Sequence, residues 1–301
     1  MKKLFFIFFT FLIVLPLASC TKSGNYKVIL PAGSPDIAFS FVDKQKYKQT
    51  VVNGPEMLSG AFASKENDLI VAPTNLGVLL HNDNYQLLGT VVLGSLYVVS
   101  INNNISSILD LEGAQVKAFG RNTTNDIILQ YLTKALSVTY SVSYEPSAVE
   151  VAEQISNNHN TIGVISEPQL STLKHNNPSL KFNVIDLQEE YTNVTGKPNY
   201  PQACIFVKKS LSDQNKKEID KDFNDAINKI NKNVDDSSKK AIANGNKLDI
   251  EILKSSIPNM NIKYIKASEA RVMIDFYLGI LSAMNIKLIG KIPSSSFYFL
   301  G

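Results

Sequence analysis

From residue 26 onward the apolar positions fall into short blocks whose period switches between that of a strand and that of a helix. Residues 26–30 (YKVIL) form a β run, closed by the turn Pro31-Ala32-Gly33-Ser34-Pro35. A helix-compatible stretch follows over 37–42, then a short β run at Val51-Val52. A helix starts over 55–62, where Pro55 suits the first turn because its missing N–H would be unpaired there anyway. Residues 68–72 (DLIVA) read as a buried strand, and Thr74 or Asn75 caps a helix carrying Leu76, Val78, Leu79 and Leu80. Apolar strands alternating with helices predict a parallel α/β sheet covered by helices on both faces.

A second series repeats the pattern. Strands are predicted at 96–99, 116–119, 138–144, 161–165 and 182–185, with helices at 125–136 and 145–157 and a short helical turn at 108–113. Residues 190–202 are polar and carry Gly196, Pro198 and Pro201, which predicts a connection. After a strand at 203–207 the pattern is helical to about Met284. Residues 213–233 align Ile219, Phe223, Ile227 and Ile230 on one face, and 269–284 form a second amphipathic helix. Phe297-Tyr298-Phe299 are predicted core contacts. The simplest organisation is α/β with two lobes: residues 26–97 with 204–301 as the first, and residues 98–203 inserted into it as the second.

Composition narrows the class. With 301 residues, 44% hydrophobic and 19% charged, the chain can bury two cores, which excludes a disordered or collagen-like protein. The formal charge is +3, and two of the basic residues, Lys2 and Lys3, sit at the extreme N-terminus, so no nucleic-acid partner is expected. Lys2 and Lys3 precede an apolar run over 4–15 and the small-residue sequence Leu17-Ala18-Ser19-Cys20, the order of a secretory signal over 1–19. The stretch of about 16 residues from Leu4 to Ser19 would span roughly 24 Å as a helix, short of the ~30 Å hydrocarbon core.

Leu17-Ala18-Ser19-Cys20 resembles the lipobox of bacterial lipoproteins. The resemblance implies lipidation of the Cys20 thiol by diacylglycerol and cleavage before it, leaving residues 20–25 as a short lipid-anchored tether. The alternative is an ordinary secretory signal with a coincidental cysteine. Either way the folded body is expected outside the cytoplasmic membrane. Cys204, the one remaining cysteine, sits in an apolar strand and reads as a small buried hydrophobe, so no disulfide is expected.

Several motifs together resemble solute-binding lipoproteins of ABC transporters with the type 2 periplasmic-binding fold, in the branch of nitrate, sulfonate and thiamine-pyrimidine binders. They are Pro31-Ala32-Gly33-Ser34-Pro35, the segment 68–77 (DLIVAPTNLG), the crossing through Leu87-Leu88-Gly89 to Gly94-Ser95-Leu96-Tyr97, Ser166-Glu167-Pro168, Tyr200-Pro201-Gln202-Ala203 and the ending Ile289-Gly290-Lys291-Ile292-Pro293. The resemblance implies a two-lobed fold with a ligand cleft between the lobes, a small-molecule solute, ABC permease and ATPase partners, and a monomer anchored by its lipid on the outer face of the bacterial cytoplasmic membrane.

In open α/β sheets ligands bind where strands end and helices begin, because loops and helix N-termini present unpaired N–H groups there. Three such points are Gly33-Ser34, Thr74-Asn75 and Arg121-Asn122-Thr123-Thr124, although the same residue types also cap helices without any ligand. Glu167 offers an acceptor to a ligand N–H or favours a helix start; Arg121 pairs with an anion or lies on the surface. The crossings add Ser95, Tyr97, Tyr200 and Gln202, the tyrosines as aromatic platforms or hinge packing in a chain without tryptophan.

Catalysis has little support. His81, His159 and His175 show no metal-ligand spacing, there is no nucleophile elbow or phosphate-cradling loop, and no cofactor or metal is expected. Two alternatives remain: a structural or adhesive lipoprotein that keeps the fold without transport, and an enzyme like those of pyrimidine synthesis on this fold. The latter relies in its family on a cysteine-rich iron site that this chain lacks.

The lipid anchor has a direct check. Cys20→Ala is expected to release the protein from membranes or leave an unprocessed precursor, because buried acyl (palmitate) chains supply about 0.8 kcal/mol per CH₂. Fractionation followed by immunoblotting reads the outcome, and a processed variant retained on the membrane contradicts the anchor.

Overall fold

The computed structural model describes residues 25–301, so the signal at 1–19, Cys20 and nearly all of the tether lie outside the described residues. The chain begins with β1 (Tyr26–Pro31), α1 (Ser34–Ala38), β2 (Tyr47–Val52), α2 (Pro55–Ser64), β3 (Leu69–Pro73), α3 (Thr74–Leu80) and β4 (Tyr85–Leu93). It then enters a second unit: β5 (Leu96–Ser100), β6 (Gln115–Phe119), α4 (Thr124–Ala135), β7 (Ser141–Glu145), α5 (Ala148–Asn157), β8 (Ile162–Ser166), α6 (Gln169–Asn176), β9 (Asn183–Asp186) and α7 (Leu187–Thr195). It returns through β10 (Pro201–Lys208), α8 (Asp213–Ile227), α9 (Val234–Ala243), α10 (Ile250–Ser256), β11 (Ile262–Lys266) and α11 (Ala267–Asn285).

Two mixed sheets result. The first has the order β11-β4-β10-β3-β1-β2, the second β7-β6-β8-β5-β9. Within the first, β1 runs parallel to β2 and β3, while β10 is antiparallel to β3 and β4. Within the second, β6 runs parallel to β7 and β8, and β5 is antiparallel to β8 and β9. The fold is therefore the two-lobed α/β arrangement expected from the sequence, with the second sheet inserted between β4 and β10.

Strands with unbroken apolar runs are buried on both faces. Val28, Leu30 and Val71 pack under α1, α8 and α10, whereas Ile29, Ile70 and Ala72 face α2, α3 and α11 in a core continuous with that of the second sheet. The change of sheet falls at Gly94-Ser95 on the way out and at Asn199-Tyr200 on the way back, about two to four residues before the lobe boundaries drawn from the sequence.

Some elements depart from the sequence expectation. β4 is interrupted by Gln86, Gly89 and Thr90, which hide its strand pattern; Gly89 is needed because a Cβ there would lie 2.7 Å from the Ile265 carbonyl oxygen of β11. β11 lies in a region expected to be helical, yet its buried Ile262 and Tyr264 alternate with the exposed Lys263, the two-residue period of a half-buried edge strand. Residues 187–195 form α7, capped by the Asp186 carboxylate, so only 196–200 remain of the expected long connection.

Close packing at Gly77 generates a stability prediction. A Cβ on this helical residue would sit 2.0 Å from Phe206 Cζ on β10. Gly77→Ala is expected to lower stability by about 1–3 kcal/mol through overpacking. Gly60→Ala on α2, where nothing lies within 4 Å, should instead raise it by up to about 1 kcal/mol by helix propensity. Urea denaturation midpoints compare the two.

Candidate functional site

The parallel strands of both sheets end facing one another, and the space between them is a cavity of about 410 Å³. Pro31, Val52 and Pro73 bring the ends of β1, β2 and β3 to it; Phe119, Pro146 and Ser166 do so for β6, β7 and β8. Because a helix follows most of these strand ends, the first residues of α1, α2, α4, α5 and α6 lie at or beside the cavity wall. Helix starts carry N–H groups without intrahelical partners and the positive end of the helix dipole.

Gly33, Ser34, Thr123, Glu167 and Gln202, all anticipated, line this cavity. Gly33 has φ of 98°, a backbone region that glycine enters without strain. It starts the turn that brings Ser34 against the second unit, where Ser34 Oγ donates to the Glu167 carbonyl at 3.0 Å. Thr123 Oγ1 donates to the Gly120 carbonyl at 2.6 Å. Gln202 Oε1 accepts from the Ser95 N–H at 2.8 Å, tying the two crossings together.

The other anticipated residues sit elsewhere. Thr74 Oγ1 donates to the Pro201 carbonyl at 2.7 Å and lies 3.2 Å from Cys204 Sγ. Asn75 Nδ2 donates to the Asn122 carbonyl at 2.8 Å, and Asn75 Oδ1 accepts from Thr124 Oγ1, itself bonded by the Tyr277 hydroxyl at 3.0 Å. The Asn75 and Tyr277 bonds fasten the two units beside the cavity, whereas the Thr74 bond stays within the first. Arg121 is exposed, with its guanidinium over the Tyr144 ring at 5.2 Å. Ser95 is fully buried at the crossing. Tyr97 and Tyr200 are packing residues: the Tyr97 hydroxyl donates to the Asn259 carbonyl at 3.3 Å, and Tyr200 stacks against Tyr277 while its hydroxyl donates to Gln188 Oε1 at 2.6 Å.

Sequence reasoning missed Asn53, Asn125, Ser147 and Gln169, which also line the cavity. The signal was present. Asn53-Gly54-Pro55 and Pro146-Ser147 are further strand-to-helix junctions, and the argument that singled out three such junctions applies equally to them. Ser147 caps α5 by accepting from the Val149 N–H at 3.1 Å, and its hydroxyl also donates to Glu150.

Among the described residues no Lys, Arg or His lines the cavity, and Glu150 and Glu167 are its ionisable groups. The Ser147 hydroxyl holds the Glu150 carboxyl below the usual carboxylate range. Glu167 goes the other way: it is 2% exposed, and burial pushes its carboxyl up to about 7 despite the opposing hydrogen bonds from the Ser171 N–H (3.1 Å) and hydroxyl (3.0 Å). Burial likewise raises the Cys204 thiol to about 12, which leaves it unreactive. Among the described residues no group of three or more His, Cys, Asp and Glu side chains is placed to hold a metal ion, and no helix is long and apolar enough to cross a membrane.

A raised carboxyl favours the folded state while protonated. Its contribution is complete below the ordinary value of 4.5 and is lost as pH rises through about 7. Glu167→Gln is therefore expected to gain stability over the native chain between pH 5 and 8, by up to about 3 kcal/mol. Chemical denaturation across that range measures the difference, and parallel pH profiles for the two chains contradict the assignment.

Comparison with known proteins places this architecture. An ABC transporter structure from Parabacteroides distasonis is 21% identical, with a TM-score of 0.75 over 91% of this chain and 98% of that one. The periplasmic aliphatic sulphonate-binding protein of Escherichia coli is 13% identical, with a TM-score of 0.67 over 91% of each chain. The ligand-binding component of an ABC-type import system from Staphylococcus aureus, with zinc bound, is 14% identical, with a TM-score of 0.61 over 90% of this chain and 99% of that one. The resemblance to solute-binding proteins seen in the sequence thus holds for the fold. No curated protein matches the chain in sequence. A family model described as menaquinone biosynthesis matches residues 34–266, which the sequence motifs had not suggested. That match runs from the first cavity loop to the last strand of the first sheet, and by its extent the chain belongs to the menaquinone biosynthesis family.

Proposed function

We propose that the chain is an extracytoplasmic solute-binding lipoprotein, anchored through Cys20, that captures a small polar or heteroaromatic solute between its two units and delivers it as a monomer to an ABC permease and its ATPase. The observation that carries this reading is the cavity itself. Roughly 410 Å³ is the size of an ordinary small-molecule site, and it lies where facing strand ends and helix starts from two separate sheets leave hydrogen-bonding groups free. Two short crossings, Gly94-Ser95 and Asn199-Tyr200, join the units, so a change in their relative angle would open or bury the site. The fold relatives are described as transporter and import-system components, which supports the same reading.

Family membership favours a second reading, an enzyme acting in the same cavity. Proton transfer would then fall to Glu167, the cavity group whose carboxyl lies near neutrality. The transport reading is preferred because, among the described residues, no Cys, His, Lys or Arg stands with Glu167 in the cavity wall to activate a hydroxyl or share a proton.

Mass spectrometry of the small molecules that co-purify with the full-length chain, followed by small-angle scattering with and without the molecule found, tests the proposal. The expected result is a retained molecule recovered unchanged and a smaller radius of gyration on rebinding. Conversion of that molecule by the purified chain, abolished by Glu167→Gln, would favour the enzyme instead. An unchanged radius at saturation overturns the hinge.

A further inference from the structure

Beside the free N–H groups of its helix starts, the cavity wall holds an unusual set of side chains. Asn125 and Gln169 from the second unit and Gln202 from the first are half-buried carboxamides lining the cavity, and Asn53 stands exposed at its edge. Among the described residues, Asn53, Asn125 and Gln169 find no side-chain hydrogen-bond partner. Gln202 makes one, and it fixes the orientation of its amide: the Ser95 N–H can be accepted only by Oε1, so Nε2 is left as an unpaired donor.

A carboxamide offers a donor pair and an acceptor in one plane, the complement of a ligand edge that carries C=O beside N–H. It offers no charge. Cationic side chains, which an anion of high charge density would recruit, are missing from the wall among the described residues, and Arg121, next to Gly120 of the wall, lies over Tyr144. The ionisable groups present, Glu150 and Glu167, are carboxyls that oppose an anion and tolerate a donor. The apolar part of the wall includes the Phe119 ring and Pro31, Pro35, Pro73 and Pro146, and the hydroxyls of Ser34, Thr123 and Ser147 stand among them. Such apolar surfaces pack against the face of a planar ring.

The geometry points to an uncharged planar solute with adjacent carbonyl and N–H groups, a cyclic amide or ureide, gripped along its edges by carboxamides from both units. This assignment of ligand class rests on the reading of the cavity as a solute site. It sets the chain apart from its sulphonate-binding fold relative, and it makes Gln202 a specificity residue whose single hydrogen bond to the crossing couples ligand contact to the junction of the two units.

Isothermal titration calorimetry on the full-length chain, freed of bound molecules by dialysis from denaturant and refolding, tests the class with three probe sets. These are uracil, cytosine and hypoxanthine as cyclic amides, methanesulfonate and nitrate as anions, and glucose as a neutral polyol. Saturable binding is expected for at least one cyclic amide and for neither anion. Gln202→Glu keeps an acceptor for Ser95 and replaces the free donor with a charged carboxylate oxygen that repels a ligand carbonyl, and it should weaken that binding about tenfold, as should Gln169→Met. Far-ultraviolet circular dichroism confirms that the variants fold. Binding of an anion or of glucose in place of the cyclic amides overturns the ligand class while leaving a solute-binding function standing. Silence from all three sets also overturns the class, and the solute-binding reading then falls separately if nothing co-purifies with the native chain.

Discussion

The buried carboxamide of Gln188 is the fastening on which the two-unit arrangement depends. Its Oε1 accepts from the Leu96 N–H at 2.8 Å and from the Tyr200 hydroxyl at 2.6 Å; its Nε2 donates to the Leu96 carbonyl at 3.1 Å and to Asp186 Oδ1 at 2.8 Å. Every hydrogen-bonding direction of the side chain is used, and the residue is only 6% exposed. Through one amide the first residue of the second sheet, the helix that closes that unit and the returning crossing are held at fixed distances. Loss of any partner would leave a buried polar group unpaired, which is more costly than the bond is worth when made.

The position of the cleft follows from that junction. With Leu96 and Tyr200 held together, β4 and β10 end the first sheet where β5 begins the second, and the carboxyl ends of the parallel strands in each sheet are turned toward each other. Helix starts then gather around one volume without any residue being selected for binding. Selection enters at the junctions themselves, where Ser34, Thr123, Ser147, Gln169 and Gln202 decide what the volume can hold. A second set of buried bonds, from Asn75 to Asn122 and from Tyr277 through Thr124, joins the units beside the cavity, so relative motion is constrained on that side as well as at the crossings.

Strands such as β3, β5, β8 and β10 were legible because they are continuous apolar runs bounded by turn-forming residues, a pattern that burial on both faces imposes locally. β4 and β11 were not. Their partners lie far away in sequence, and Gly89 is explained only by the approach of Ile265 from β11. The candidate site was half legible for a related reason. Chemistry at strand ends is local, so Gly33, Ser34 and Thr123 could be chosen from the sequence; the direction in which a side chain is spent is a tertiary fact. Thr74, Asn75 and Tyr200 have the composition of ligand-binding residues, yet they spend their hydrogen bonds on Pro201, Asn122 and Gln188. Cavity residues such as Asn125 and Gln169 carry no mark in the sequence beyond lying at helix starts, and their lack of a partner is visible only once the two sheets face each other.

A crystal structure of the chain isolated from its native membrane, with its co-purified small molecule retained, addresses the central claim most directly. The account predicts electron density for a compact molecule between the two sheets, within hydrogen-bonding distance of Gln202 and Gln169 and covered by Phe119. A cleft filled by the protein's own side chains, or a molecule bound outside the facing strand ends, would contradict it.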